Sequence, residues 1–372
     1  MINKEQLVDK FIELVEIDSI SREERKMADR LKDELESLGC KVYEDKTGEK
    51  IDGNAGNLIA EFPGSDDYPV VLLSAHMDRV EPGKGVKAVI EDGYIKSAGD
   101  TVLGSDDIIG VTAILELLKN LKEKEDHPTI KILFSVAEEV GLLGAKNLDP
   151  KAYEDVDYGI VLDVGGEIGT VVNEAPSKTK FNAVIKGEPA HAGTEPENGV
   201  NAIKIASHAI SEMNLGRVAE ETTSNIGVIR GGVASNIVPD LVELEGEVRS
   251  INHKKLKQQT SEMKEIIDKY VEKYKGEVDY DIDLTYRTFA LNEDNDLVSI
   301  VKEAADKLEL PFKLKSSGGG SDANIFNSQG LPTVNLGTGM EKVHSTDERV
   351  KIDNMVKLTD YLIAIIDTMK EV

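Results

Sequence analysis

At 372 residues the chain exceeds the length at which one hydrophobic core keeps growing, so two domains are expected. Its 70 acidic residues against 44 basic ones give a formal net charge of -26, a surface that repels phosphate backbones and anionic lipid and excludes nucleic acid and membrane as natural partners. A single Cys forbids an intrachain disulfide, residues 1–18 carry charge throughout with no secretory apolar core, and apolar runs such as 130–136 are too short for a bilayer, so a cytoplasmic protein is expected.

Along the chain, Leu7, Phe11, Leu14 and Val15 fall on one helical face within residues 5–17. Ser21 and Glu24 have capping-box spacing before a second helix that buries Met27, Leu31, Leu35 and Leu38 and stops at Gly39. Short apolar runs at 70–73, 131–136 and 159–162 suit buried strands, and a helical stretch at 108–121 lies between the first two. Strands alternating with helices predict an α/β layer fold. From about 178 to 287 the rhythm changes. A strand at 180–186 precedes a helix with Val200, Ile203 and Ile210 on one face. Strands at 225–230 and 241–249 follow, then a long helix at 254–274 carrying Leu256, Met263, Ile267, Tyr270 and Tyr274, and a strand at 278–286. That β-α-β-β-α-β order is the ferredoxin-like arrangement. The first rhythm returns in a helix at 298–308, a strand at 333–336 and a closing helix at 354–369. The expected architecture is therefore a mixed-sheet α/β domain made of 1–177 and 288–372, interrupted by an inserted ferredoxin-like α+β domain at 178–287.

Polar residues gather just after the predicted strands, where open α/β sheets bind ligands. His76 and Asp78 follow the first, Asp106 and Asp107 precede the helix at 108, Glu138 and Glu139 follow the next strand, Asp163 the next, and His344 comes after the strand at 333–336. A lone His-x-Asp or an acidic pair is usually a cap or a solvated surface. Repetition at successive strand ends is different, because crowded carboxylates repel unless a cation neutralises them. Two imidazoles and three carboxylates, one of them bridging, make two sites of three protein ligands, each with a position left for water. The absence of thiolate suits zinc, manganese or cobalt without choosing among them. Of Glu138 and Glu139, one can coordinate and leave the other to move a proton.

The segments SAHMD (74–78), GSDDIIG (104–110), AEEVGLLGA (137–145), LDVG (162–165), GEPAHAG (187–193), GGVASNIVPD (231–240), SSGGGSDAN (316–324) and GTGMEKVHS (337–345) together resemble the M20 metallopeptidases, in particular the peptidase T-like branch of tripeptide aminopeptidases. The resemblance covers nearly the whole chain. It implies one metal on His76, Asp106 and Asp163 and another on Asp106, Glu139 and His344, with Asp106 bridging. Asp78 would orient His76, and Glu138 would be the general base. It further implies that His191 stabilises the tetrahedral oxyanion, often in the other subunit of a dimer formed through the lid, and that Asn236 contacts substrate. Arg249 and the loop of Gly318, Gly319 and Gly320 would cradle the substrate carboxylate, as an arginine fork and backbone N–H groups suit.

Arg79, where relatives often have Thr, and Ile108-Ile109, where they often have Lys-Ala or Lys-Gly, depart from the pattern near the expected pocket and bear on substrate preference. Asp163 rather than Glu leans toward aminopeptidases. The rivals are a carboxypeptidase or deacylase acting on N-acyl amino acids, and a non-catalytic peptide-binding member, against which the intact ligand set argues. His127, His208 and His253 lack suitable acidic company and are read as surface or packing residues.

Overall fold

The structure is a computed structural model describing residues 2–124 and 126–371. The chain divides into two compact units, one of residues 1–173, 290–316 and 321–372, the other of residues 174–289 and 317–320. Among the described residues no helix is long and apolar enough to cross a membrane.

The first unit is built on a mixed sheet. Its strands run in the order Lys41–Glu44, Leu58–Phe62, Ile130–Ser135, Val71–His76, Tyr158–Val164, Thr333–Gly337 and on to Thr170–Ala175. The four from Ile130–Ser135 to Thr333–Gly337 are mutually parallel, with antiparallel neighbours on both sides. Strand Val71–His76 is buried at every position, as the apolar run at its start implies for a strand covered on both faces. The helix Ser105–Leu121 packs on that strand and on the helices Lys4–Val15 and Ile352–Thr368. It is apolar nearly all round, as a helix enclosed by the core must be. Leu7, Phe11, Leu14 and Val15 are buried as their spacing predicts, as are Met27, Leu31, Leu35 and Leu38, and Gly39 ends the second helix with φ 101°.

The second unit has a wholly antiparallel sheet in the order Gly216–Ala219, Thr222–Gly231, Leu241–Ser250, Ser177–Lys186, Glu277–Tyr286, covered by the helices Ala202–Glu212 and His253–Tyr274. This is the ferredoxin-like order with one short strand added.

Several local expectations are corrected. The helix Ala202–Glu212 buries Ala202, Ile205, Ala206 and Ala209, while Ile203 is 41% exposed: small alanines let the helix lie close on the sheet, and the branched residues were the wrong markers of its face. The long helix buries Gln259 and Val271, whereas Tyr270 and Tyr274 stack on His208 nearer the surface. Ser21 and Glu24 form no capping box, and the helix Arg25–Leu38 begins without a side-chain cap. The glycine-rich stretch leads into a short helix not anticipated from the sequence, Asp322–Ser328, which carries a capping box of Ser321 and Asn324.

Candidate metal centre

Because the central strands are parallel, their C-terminal ends share one edge of the sheet. His76 ends its strand, Asp163 lies near the end of Tyr158–Val164, and Glu138 and Glu139 sit in the turn after Ile130–Ser135. Asp106 comes from the start of the central helix, where its φ/ψ of -84°/99° is not helical. His344, with φ 60°, lies in the loop between the paired strands Met340–Glu341 and Arg349–Lys351.

These side chains converge on Asp106. Its Oδ1 is 3.1 Å from His76 Nε2, and its Oδ2 is 3.1 Å from His344 Nε2. Asp163 Oδ1 lies 3.7 Å from His76 Nε2, and Glu139 Oε1 lies 2.9 Å from His344 Nε2. One carboxylate thus stands between two imidazoles, with a second carboxylate beside each. Candidate ligand atoms of His76, Glu138 and Asp163, and of His76, Asp106 and Glu139, fall within 4.8 Å of one another. Mutual proximity alone would admit Glu138 as a ligand and would not require His344. The direct contacts of His344 with both Asp106 and Glu139 weigh more, since they fix which groups face each other.

Acids outnumber imidazoles here, and their protonation shows the strain. Burial, then the charge of Asp163, raises the Glu138 carboxyl well above the usual range, and burial pushes Asp163 up to about 7 and raises Glu139. Burial also opposes ionisation of Asp106, but His344 and His76 hold it well below the ordinary value. Burial opposes charge on His76, yet Asp106, Asp163 and Asp78 raise it well above the imidazole value, while Asp106 and Glu139 push His344 up to about 10. Negative charge so poorly compensated is what divalent cations offset, and imidazole with carboxylate is a donor set that fits them.

Asp78 does more than face the His76 ring, whose Nδ1 is 3.0 Å from its carbonyl oxygen and 3.5 Å from its Oδ1. Fully buried, it accepts the Glu138 N–H at 2.9 Å, the Glu139 N–H at 3.3 Å and the Ser21 hydroxyl at 2.6 Å. The two preceding amides are held as well: Val136 N–H donates to Asn57 Oδ1 at 3.1 Å and Ala137 N–H to Glu24 Oε1 at 3.0 Å. Four successive amides under the acidic pair therefore end on buried side chains, around a left-handed Ala137 (φ 51°) that needs such support. Glu24 and Asn57 were missed by sequence reasoning. The capping-box spacing at Ser21 and Glu24 was a real signal put to another use, as both side chains turn toward the site. Asp322 was also passed over, although it lies in a quoted segment. It is buried, accepts the Ser135 hydroxyl at 2.6 Å, and is pushed up to about 6 by burial.

The two departures from the family pattern are buried. Arg79 is 1% exposed and donates to the carbonyls of Val15 (2.7 Å) and Ile17 (3.0 Å) just past the first helix. Ile108 and Ile109 are core residues of the central helix. His127 is buried and stacks on Phe62, so it belongs to packing.

In the second unit, His191 is exposed and its Nδ1 accepts the N–H groups of Gly193 (3.1 Å) and Thr194 (3.2 Å). That leaves the proton of a neutral ring on Nε2, which becomes a donor. Asn236 is its neighbour through the Ala192 N–H, which donates to the Asn236 carbonyl at 3.0 Å. Arg249 grips Glu247 with Nε at 2.7 Å and Nη2 at 3.1 Å, and its Nη1 donates to the Gly318 carbonyl at 3.1 Å. Gly319 N–H is taken by Ser317 Oγ and Gly320 N–H by the Tyr286 hydroxyl, each at 3.1 Å. The loop is thus shaped by contacts of its own. Gly320 is obligatory there, since a Cβ would stand 2.3 Å from the Tyr286 ring.

The sequence profile of peptidase family M20/M25/M40 matches residues 72–368. The chain belongs to this family. It is accordingly a peptide-bond hydrolase of the M20 kind. A protein of Bacillus subtilis (strain 168), the uncharacterized YqjE, is 42% identical over 99% of both chains. The structure of aminopeptidase PepT from Bacillus cereus is 41% identical with a TM-score of 0.90 over 99% of both chains. That of a tripeptidase from Staphylococcus aureus is 39% identical with a TM-score of 0.95 over the full length of both.

Proposed function

We propose that this M20 chain is a dinuclear metal-dependent aminopeptidase that removes the N-terminal residue from tripeptides. The observation that carries the dinuclear reading is the Asp106 carboxylate, which offers one oxygen toward His76 and Asp163 and the other toward His344 and Glu139. The aminopeptidase reading rests on the similarity to structures described as an aminopeptidase and a tripeptidase.

His76, Asp106 and Asp163 would hold one divalent ion and Asp106, Glu139 and His344 the other; zinc, manganese and cobalt all suit these donors. When bound, the ions supply Lewis acidity to the scissile carbonyl and make an attacking water acidic near neutral pH. Glu138 takes the proton of that water and returns it to the leaving amine. A carboxylate oxygen of Glu138 lies within 4.8 Å of ligand atoms on His76 and Asp163, near enough to reach a water held there. Asp78 holds the His76 ring and the backbone of both glutamates, so ligand and base keep their spacing. His191 contributes its Nε2–H to the developing oxyanion. Asn236, Arg249 and the loop of Gly318, Gly319 and Gly320 are assigned to the substrate's far end. For Arg249 this requires a peptide carboxylate to compete with Glu247 for the guanidinium. We read residues 178–287 as a lid domain and 1–177 with 288–372 as the hydrolase domain, and the cytoplasm as the working compartment.

The lid is also where we place a homodimer contact. The strand Gly216–Ala219 pairs only with residues 222–224, which leaves 225–231 of the next strand as the sheet edge. Ile229 (54% exposed) stands there, with Val233 (83%) in the loop just past the strand, and an open edge with apolar side chains favours pairing with a second copy.

The test is incubation of metal-depleted protein with a tripeptide, with zinc, manganese or cobalt restored and products identified by mass. Metal-dependent release of the N-terminal residue is the expected result. Release of the C-terminal residue, or cleavage of N-acyl amino acids alone, would move the protein to the carboxypeptidase and deacylase side. No cleavage with any metal would overturn the catalytic reading.

A further inference from the structure

Asp106 can serve two ions only if its carboxylate is held between them, yet it sits in a stretch that is neither strand nor regular helix. What fixes that stretch is a buried acid outside the ligand set. Glu348 is 1% exposed. Its Oε2 accepts the Gly104 N–H at 2.8 Å, and its Oε1 accepts both the Ser105 hydroxyl at 2.6 Å and the Asp106 N–H at 3.1 Å. Three consecutive residues ending at Asp106 are thus tied to one carboxylate. Glu348 itself lies four residues beyond His344 in the same loop, whose ends are pinned by the pairs Met340↔Val350 and Glu341↔Arg349.

A buried carboxylate with hydrogen-bond donors but no opposite charge nearby is costly. Here the countercharge is Arg79. Its guanidinium packs against Gly104, where a Cβ would stand 2.8 Å from Arg79 Cζ, and Gly104 has a left-handed φ of 79°. The attraction of Glu348 partly offsets the burial that lowers the Arg79 pKa to about 10. Arg79 is in turn anchored on the carbonyls of Val15 and Ile17. A residue whose type departs from the family pattern thereby acquires a place behind the Asp106 loop.

We infer that Glu348, backed by Arg79, is a positioning residue that sets the Asp106 carboxylate between the two ions and keeps the His344 loop in step with it. The inference rests on the dinuclear reading above. Its prediction is selective: the ion held by Asp106, Glu139 and His344 depends on Glu348 through both its loops, and the other ion through Asp106 alone. Partners of this kind behind metal ligands typically change affinity by 10–100-fold.

The experiment is titration of metal-depleted full-length protein with Zn2+ by calorimetry and with Co2+ by visible absorption, for wild type, Glu348→Ala and Glu348→Gln. Glu348→Ala is expected to weaken one of the two ions by about 100-fold, and the other less, and to alter the Co2+ spectrum. Glu348→Gln keeps the Oε1 acceptor for Ser105 and Asp106 and loses only the one for Gly104, so it should recover most of that affinity, leaving a loss of about 10-fold. Wild-type affinities and spectrum in the folded Ala variant, with only a lower Tm, would mark a purely structural role and overturn the inference. Should that variant not fold, unchanged affinities and spectrum in Glu348→Gln overturn it alone. A wild-type protein that binds fewer than two ions would instead overturn the dinuclear reading itself, before any variant is compared.

Discussion

The two units treat charge in opposite ways. In the first, Glu24, His76, Asp78, Arg79, Asp106, Asp107, Glu138, Asp322 and Glu348 are all buried. In the second, the buried polar side chains among the described residues are uncharged: Ser177, Thr179, Thr222, Ser224, Ser250 and Gln259. Its charged groups are half-buried, like Arg249 and Glu247, or exposed, as in the pairs Lys180–Asp281 and Lys269–Glu212, and exposed pairs contribute little to stability. Burying charge destabilises a fold unless partners or a metal compensate it. Its concentration around one edge of one sheet therefore marks where this fold has traded stability for chemistry, while the second unit has an ordinary apolar core.

Substitutions can break this contrast. The largest effect is expected for Glu138→Gln, which keeps the shape and removes the proton carrier. Turnover should fall by about 10²–10⁴-fold while both ions stay bound, checked by rate assay and metal analysis on one sample. Full activity in a metal-replete sample would remove Glu138 from the role of base. His191→Ala comes next, with kcat lowered by about 10²-fold at unchanged metal content, as for a lost oxyanion donor. Metal loss instead would make His191 a ligand and erase the division between the units. Glu24→Ala deletes the acceptor of the Ala137 N–H and leaves that amide buried without a partner, which should cost about 1–3 kcal/mol in denaturant unfolding. A smaller drop in kcat should accompany it. No change in either would mean the turn holds itself. The smallest effect on the subunit is expected for Ile229→Lys: within about 0.5 kcal/mol in unfolding, yet a shift from dimer to monomer in sedimentation. An unchanged sedimentation profile would remove the strand edge from the interface.

The sequence was legible wherever function follows local periodicity. Parallel strands are buried on both faces, so they appear as apolar runs, and the polar residues ending them stand out: His76, Glu138, Glu139 and Asp163 were all visible this way. Glu24, Asn57, Arg79 and Glu348 were not, because each acts on a backbone far away in sequence, and no spacing rule connects residue 348 to residue 104 or residue 24 to residue 137. The same limit explains the helix Ala202–Glu212, whose buried face is set by how closely alanines allow approach and not by the largest apolar side chains. The anion-binding role of Arg249 came from the resemblance alone, and its partner proves to be Glu247, two residues away on the same strand face.

The turn at residues 136–139 has one more consequence. It belongs to no strand or helix, yet its four amides are shielded by Asn57, Glu24 and Asp78 as closely as amides inside a sheet. In native-state hydrogen–deuterium exchange these four should rank with the strand Ile130–Ser135 and not with neighbouring loops. The segment that carries the acids is then among the stiffest in the chain, and any motion needed to admit and release peptides must be sought elsewhere.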